Sequence, residues 1–320
     1  MKILVTGASG FIGGAFLRRF AGREDLQLFG TGRHQPSWLP AEVNWRTLSL
    51  ADLSRWDITP DVVIHAAGRT SPWGSDLDYY RDNVETTEQV LDFCRHRGNP
   101  RLILLSTAAV YYRFAHRYQL DENTPIGESF TSAYGRSKFL AEQRIAAYDG
   151  EKTVLRPSAV FGPGDNLLFP PLLKAAKKQR LWRLYTQDGP AQSELMHVDT
   201  LCDYLLQAAA KRDLQPCYNL ASAQSVDVDL LVQEVVRTLG LPPVTRTLNL
   251  RTALAFAGTL EWIWRRLKLR GEPPITRFGV AVFGYSATLD VTRMLTDFGP
   301  PAIPLTQSLQ TFLQQEKTQG

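Results

Sequence analysis

A chain of 320 residues can bury a substantial core and is long enough for one large domain or two lobes. Its 44% hydrophobic and 21% charged residues exclude a disordered chain. The net charge of +4 is small, and the basic run Lys174, Lys177, Lys178, Arg180 and Arg183 has the spacing of a solvated helix face, so no nucleic-acid partner is expected. Cys94, Cys202 and Cys217 show neither a disulfide framework nor metal-ligand spacing, which predicts a reducing, cytoplasmic setting and no metal. The first apolar run is too short for a signal peptide and reads as a strand.

That run, Ile3 to Val5, stops at Thr6-Gly7, and a helical pattern of Phe11, Ile12, Ala15, Phe16 and Phe20 begins a few residues later. The order predicts a strand, a glycine turn and a helix. Gly7 supplies the turn, Gly10 lets the main chain approach a pyrophosphate, and Gly13 lets helix pack on strand. A second strand, 26–31, ends at Gly32-Arg33-His34, where a dinucleotide fold meets the adenosine ribose. No acid stands there, and a guanidinium at Arg33 pairs with a 2′-phosphate that a carboxylate would repel, so NADP(H) is favoured over NAD(H).

A third strand, 43–48, leads to Asp52-Leu53, a carboxylate for the adenine amine and an apolar side chain for its ring. Residues 61–68 read as a buried parallel strand whose Ala66-Ala67-Gly68 tip leaves room for a cofactor at the sheet edge. His65, at its end, reads as a packed residue rather than a base. A helix over 77–97 carries Asn83 early, and 101–107 is a further buried strand ending in hydroxyls. This alternation predicts a doubly wound parallel sheet.

Tyr134 and Lys138 fall one turn apart on one helix face. A free tyrosine, with a pKa of about 10, is a poor base, but a neighbouring ammonium and a positive nicotinamide favour its phenolate. Its hydroxyl then gives a proton to a carbonyl oxygen or takes one from an alcohol, while Thr107 orients that oxygen and Lys138 reaches the cofactor ribose.

The pieces Thr6 to Gly13, Asp52-Leu53, His65 to Gly68, Asn83, Ser106 to Tyr111, the Tyr134/Lys138 pair, 155–165 and His197-Val198-Asp199 together resemble an extended short-chain dehydrogenase/reductase. The resemblance implies an α/β Rossmann fold, with a doubly wound parallel sheet and a smaller, mostly C-terminal α/β substrate-binding lobe. Its nucleotide domain would be 1–165, with 191–215 returning to it, and its substrate lobe 166–190 and 216–320. It implies Thr107, Tyr134 and Lys138 as the catalytic set. Cofactor contacts would come from Gly7, Ser9, Gly10, Phe11, Ile12, Gly13, Arg33, Asp52, Leu53, Ala66, Ala67, Gly68, Asn83, Pro157 and Ser158, beside Tyr134 and Lys138. In the 70–74 loop, Ser71 and Trp73 are the expected substrate contacts, with Thr107. His197 is expected to be structural and Asp199 to cap the next helix.

Two departures narrow the choice. Ala108-Ala109 stand where the family's sugar 4,6-dehydratases carry an Asp-Glu pair, so dehydration lacks its acid and base. Arg33 argues against the sugar epimerases, which hold NAD. Segments 272–280 and 288–293 are similar to the 3β-hydroxysteroid dehydrogenase-like branch. Before them, an apolar, aromatic stretch, 254–264, runs into the basic 265–270. Too short to span a bilayer and interrupted by Glu261, it reads as a core helix, a lid over an apolar substrate or a peripheral membrane contact through 254–270. The expected activity is hydride transfer between NADP(H) and a secondary alcohol or ketone in a hydrophobic β-keto or β-hydroxy acyl or steroid-like small molecule. The alternatives are a nucleotide-sugar epimerase or reductase, and a non-catalytic NADP-binding sensor. By analogy with the family, a homodimer is expected.

Overall fold

The computed structural model describes residues 1–71, 73–186 and 189–319; Pro72, in the expected substrate loop, lies outside them. Seven parallel strands, β1 (Lys2–Thr6), β2 (Gln27–Gly32), β3 (Asn44–Thr47), β4 (Val62–His65), β5 (Arg101–Leu105), β6 (Lys152–Pro157) and β7 (Cys217–Leu220), lie in the order β7-β6-β5-β4-β1-β2-β3. Alternate residues enter opposite layers. Ile3, Val5, Val62, Ile64, Ile103 and Leu105 pack with helices Phe11–Phe20 and Val198–Ala210, whereas Leu4, Val63, Leu102 and Leu104 pack with helices Thr86–His96 and Ala133–Ala146. Burial on both faces is why these strands read as unbroken apolar runs. The chain winds one way from β1 through β2 to β3 and the other way from β4 outward, so β1 and β4 flank the switch point where such sheets bind ligands.

The smaller lobe is built on a three-stranded sheet of Ser225–Asp227, Gln192–His197 and Ala159–Phe161, with helix Leu305–Gln319 packing Leu305, Leu309, Phe312 and Leu313 against Phe161 and Leu195. Strand Ala287–Leu289 pairs with Arg117–Leu120 and ties the C-terminal region to the nucleotide domain.

Three expectations change. Cys217–Leu220 pairs with β6, so the chain stays in the sheet past the expected boundary at 215/216 before leaving for the smaller lobe. The helix over 77–97 arrives as Asp76–Tyr79, a π-helical turn Tyr80–Glu85 and Thr86–His96, and the wide turn carries Asn83 inward. The cap of helix Val198–Ala210 is His197, whose Nδ1 accepts from the Asp199 N–H at 3.2 Å. Asp199 instead faces Arg19 at 3.6 Å, where an anion suits the first helical turn.

Candidate active site

The glycine turn closes because there is no room for side chains. Gly7 has φ +68°, and a Cβ there would lie 2.6 Å from the Ala67 backbone; at Gly13 it would lie 2.5 Å from the Gly7 carbonyl oxygen. No side chain caps helix Phe11–Phe20 at Gly10, which leaves its N-terminus to an anion. Phe11 and Ile12 are half-buried against the core, and the Ser9 hydroxyl lies beside Gly32 at the end of β2. Arg33 follows, exposed and without an ion-pair partner among the described residues. Asp52 accepts from the Ser49 hydroxyl at 2.7 Å and pairs with Arg55 at 3.0 Å. Leu53 is 0% exposed and packed with Phe29, Trp56 and Val63, so its side chain belongs to the core and not to an adenine ring.

Tyr134 reaches Thr107 through another close approach. Ser132 caps helix Ala133–Ala146 by accepting from the Gly135 N–H at 3.1 Å. A Cβ on Gly135 would lie 2.7 Å from the Ala109 carbonyl oxygen, so glycine lets the helix press on the turn that follows Thr107. The Thr107 oxygen accepts from the Ala109 N–H at 3.1 Å, which leaves its proton for the Tyr134 phenol oxygen. Burial raises the Tyr134 pKa, opposed by the Thr107 hydrogen bond. Desolvation is the larger of the two. Burial also lowers Lys138 to about 8, while the Glu142 carboxylate, one turn further on, opposes the fall.

The Asn83 side chain is held by the protein itself. Its Oδ1 accepts from the Arg69 N–H at 2.6 Å, and its Nδ2 donates to the Arg69 carbonyl at 3.2 Å and to the Ser137 hydroxyl at 2.8 Å. Both amide protons are spent, so Asn83 clamps the loop after β4 to the tyrosine helix. Ala66 and Ala67 are half-buried at this strand end; Gly68 is exposed there, and a Cβ on it would lie 3.8 Å from the Lys138 ammonium. Thr87 gives its one proton to the Asn83 carbonyl at 2.7 Å, so it accepts from His65 Nε2–H at 3.0 Å, and His65 Nδ1 accepts from Thr6 at 2.7 Å. The tautomer follows from these partners, and burial, with Lys138 nearby, lowers His65 to about 3, keeping it neutral. His65, at the end of β4, is a structural pillar between β1 and helix Thr86–His96.

Beneath Lys138 lies a buried ion pair that the motifs did not single out. Arg156, at the end of β6, donates to Glu142 at 3.0 and 2.5 Å and to the Tyr111 hydroxyl at 2.5 Å; Ser106 also donates to Glu142. An arginine inside an apolar strand was the available signal, because a buried charge requires a partner. Next to it, Pro157 and Ser158 are buried, and the Ser158 hydroxyl has no partner, which leaves a polar atom for a ligand at the sheet edge. On the opposite side, Ser71 donates to Glu272 and accepts from the Trp73 N–H at 3.2 Å, while Arg265 stacks over the Trp73 ring at 5.2 Å. The two expected substrate contacts thus tie their loop to the C-terminal region, and the Ser71 proton is not free for a substrate.

An uncapped helix start, a partnerless serine and a phenol–lysine pair converge on one sheet edge, a build suited to moving hydride and proton between a nicotinamide dinucleotide and a carbonyl or alcohol. The chain is a Rossmann-type oxidoreductase. Residues 3–221 match the NAD dependent epimerase/dehydratase family, and the chain belongs to that family, the extended short-chain dehydrogenases/reductases. It is 33% identical over 294 residues to the 2-alkyl-3-oxoalkanoate reductase of Stenotrophomonas maltophilia (strain K279a), covering 87% of this chain and 88% of that one. It is 32% identical over 188 residues to the decarboxylating sterol-4-alpha-carboxylate 3-dehydrogenase erg26 of Schizosaccharomyces pombe (strain 972 / ATCC 24843), covering 55% of each. A solved UDP-galactose 4-epimerase superposes with a TM-score of 0.75 at 18% identity, covering 100% of this chain and 99% of that one, a likeness of fold. No described helix is long and apolar enough to cross a membrane.

Proposed function

We propose that this protein is an NADP(H)-dependent reductase of hydrophobic β-keto acyl compounds, with Tyr134 as proton donor, Thr107 holding the substrate oxygen and Lys138 holding the cofactor ribose. The observation that carries this is the Thr107–Tyr134 contact, in which burial keeps the phenol above its ordinary pKa. A protonated phenol at neutral pH is an acid, suited to a carbonyl oxygen that becomes an alkoxide. The bound nicotinamide supplies the hydride. Ala108 and Ala109 provide neither acid nor base for removing water. The substrate class is supported by the Stenotrophomonas relative, whose name specifies a 3-oxoalkanoate with a 2-alkyl branch. Arg33, exposed and without an ion-pair partner among the described residues just past β2, supports the phosphorylated cofactor.

Consumption of NADPH and NADH by the purified protein, followed by absorbance with 2-alkyl-3-oxoalkanoates, 3-ketosteroids and nucleotide 4-keto sugars, tests this. The branched oxoalkanoate with NADPH is consumed fastest. In Arg33→Ala, the NADPH Kd rises by roughly ten- to a hundredfold, as losing charge-assisted hydrogen bonds requires, while NADH binding changes little. No net oxidation, together with isomerisation of a nucleotide sugar, would instead make the protein an epimerase.

Because Lys138 lies near 8, its ammonium is present below that pH and lost above it. Affinity for NADPH, titrated by nucleotide fluorescence, therefore weakens as pH rises through about 8. A flat profile to pH 9 would remove Lys138 from the cofactor contacts.

A further inference from the structure

We propose that helix Leu250–Arg266 and the basic turn after it dock this protein on an anionic bilayer surface, beside the mouth of the site. One face of the helix is anchored: Leu250, Ala253 and Ala257 are buried in a small core with Val280. The opposite face carries Ala255, Phe256, Thr259 and Trp262 at helical spacing, with Phe256 58% and Trp262 65% exposed. Leu267, 64% exposed, and Leu269, 42% exposed, continue the apolar surface past the helix end. Exposed apolar residues scattered singly need no explanation, but large ones grouped on one element mark a contact surface.

Charge selects what covers this surface. Residues 250–277 hold six of the chain's 36 Lys and Arg and two of its 32 Asp and Glu, so their +4 equals the formal charge of the whole chain. Both acids are occupied: Glu261 accepts from the Arg277 N–H at 2.7 Å, and Glu272 accepts from Ser71. Arg251, Arg265, Arg266, Lys268 and Arg270 remain exposed around the apolar stripe. A second copy of this chain would set this positive face against its own like, whereas anionic headgroups complement it and the aromatic side chains enter the headgroup–acyl boundary. The helix has 17 residues and contains Glu261, a build for lying in the interface rather than crossing it.

The placement relates the surface to the site. Arg265 covers Trp73 and Glu272 holds Ser71, both in the loop that Asn83 clamps through Arg69 to the Tyr134 helix. In one respect the inference rests on the proposed function: an acyl substrate dissolved in the bilayer would reach this mouth without crossing bulk water.

The test is co-sedimentation of the full chain with vesicles of phosphatidylcholine alone and of phosphatidylcholine with phosphatidylglycerol, at low and high salt. The wild type sediments with the anionic vesicles at low salt and is released by salt. Phe256→Ser/Trp262→Ser and Arg266→Glu/Lys268→Glu each weaken binding by roughly tenfold or more, and both keep the wild-type melting temperature and turnover on a short, water-soluble ketone. Failure of the wild type to bind anionic vesicles, equal binding to phosphatidylcholine alone, or unchanged binding of both variants overturns the proposal. Concentration-dependent self-association without lipid, abolished by Phe256→Ser/Trp262→Ser, also overturns it and assigns the face to a second copy. Vesicle binding needs no substrate, so its failure leaves the reductase reading standing, and an inactive protein that binds vesicles leaves the docking standing.

Discussion

Replacing Tyr134 by phenylalanine lowers the turnover of ketone reduction by roughly a hundred- to ten-thousandfold, the usual worth of a positioned general acid, and leaves NADPH affinity within about threefold of wild type. The substitution removes one hydroxyl from a half-buried ring at the start of helix Ala133–Ala146. The Ser132 cap and the Gly135 approach to Ala109 stay in place. Thr107 keeps its hydrogen bond from the Ala109 N–H and can still donate to a carbonyl oxygen, so residual reduction with water as the proton source is expected. Single-turnover reduction followed beside equilibrium binding of NADPH separates the two effects. A variant that loses affinity as much as turnover would show Tyr134 to be a binding residue, and one that keeps wild-type turnover would move the acid elsewhere or leave a protein that binds the dinucleotide without catalysis.

The elements legible in the sequence were those whose signal is local. Two-sided apolar runs such as Val62 to Ile64 and Leu102 to Leu105 announced parallel strands because helices cover both faces of the sheet. The Gly7 to Gly13 turn was legible because its geometry rejects Cβ atoms, and the Tyr134/Lys138 pair because helical spacing alone puts it on one face. What depended on tertiary packing was not legible. Asn83 was legible as a site residue, but not that a π-helical turn hands its amide to Arg69 and Ser137. Leu53 looked like an adenine contact, but the turn Leu50–Arg55 points it into the core. Desolvation at Tyr134, which raises its pKa, was not legible either, because a sequence does not display burial. The edge strand Cys217–Leu220, only four residues long, carries too few positions to show a period, so the lobe boundary was placed before it. For 254–270, composition alone left core, lid and interface open; the exposed Phe256 and Trp262 show that one face of the helix lies outside the core.

The second large effect is on stability. Glu142→Ala lowers the free energy of unfolding by about 3–5 kcal/mol, because it strands a buried guanidinium rather than because the pair itself is worth so much. Side-chain exposure is 8% for Arg156 and 6% for Glu142, so water cannot replace the lost carboxylate without opening the layer between β6 and the tyrosine helix. Tyr111 still accepts from Arg156, but its hydroxyl is neutral and already donates towards Asn219 and Asp121. In thermal unfolding this is a fall in Tm of roughly 5–15 °C. Glu142→Gln, which keeps the shape and one acceptor, costs less, and Glu142→Leu/Arg156→Leu recovers much of the loss if the isolated charge is the cause. A Glu142→Ala protein melting within about 2 °C of wild type would mean that Arg156 finds another partner. Glu142→Gln also carries the pair's link to the chemistry. The carboxylate raises the Lys138 pKa against burial, so its removal drops that pKa below about 8. The pH at which NADPH affinity begins to fail then moves down with it, by an amount that the fluorescence titration reads directly. An unchanged break in a folded Glu142→Gln protein would confine the ion pair to the fold and detach it from the site.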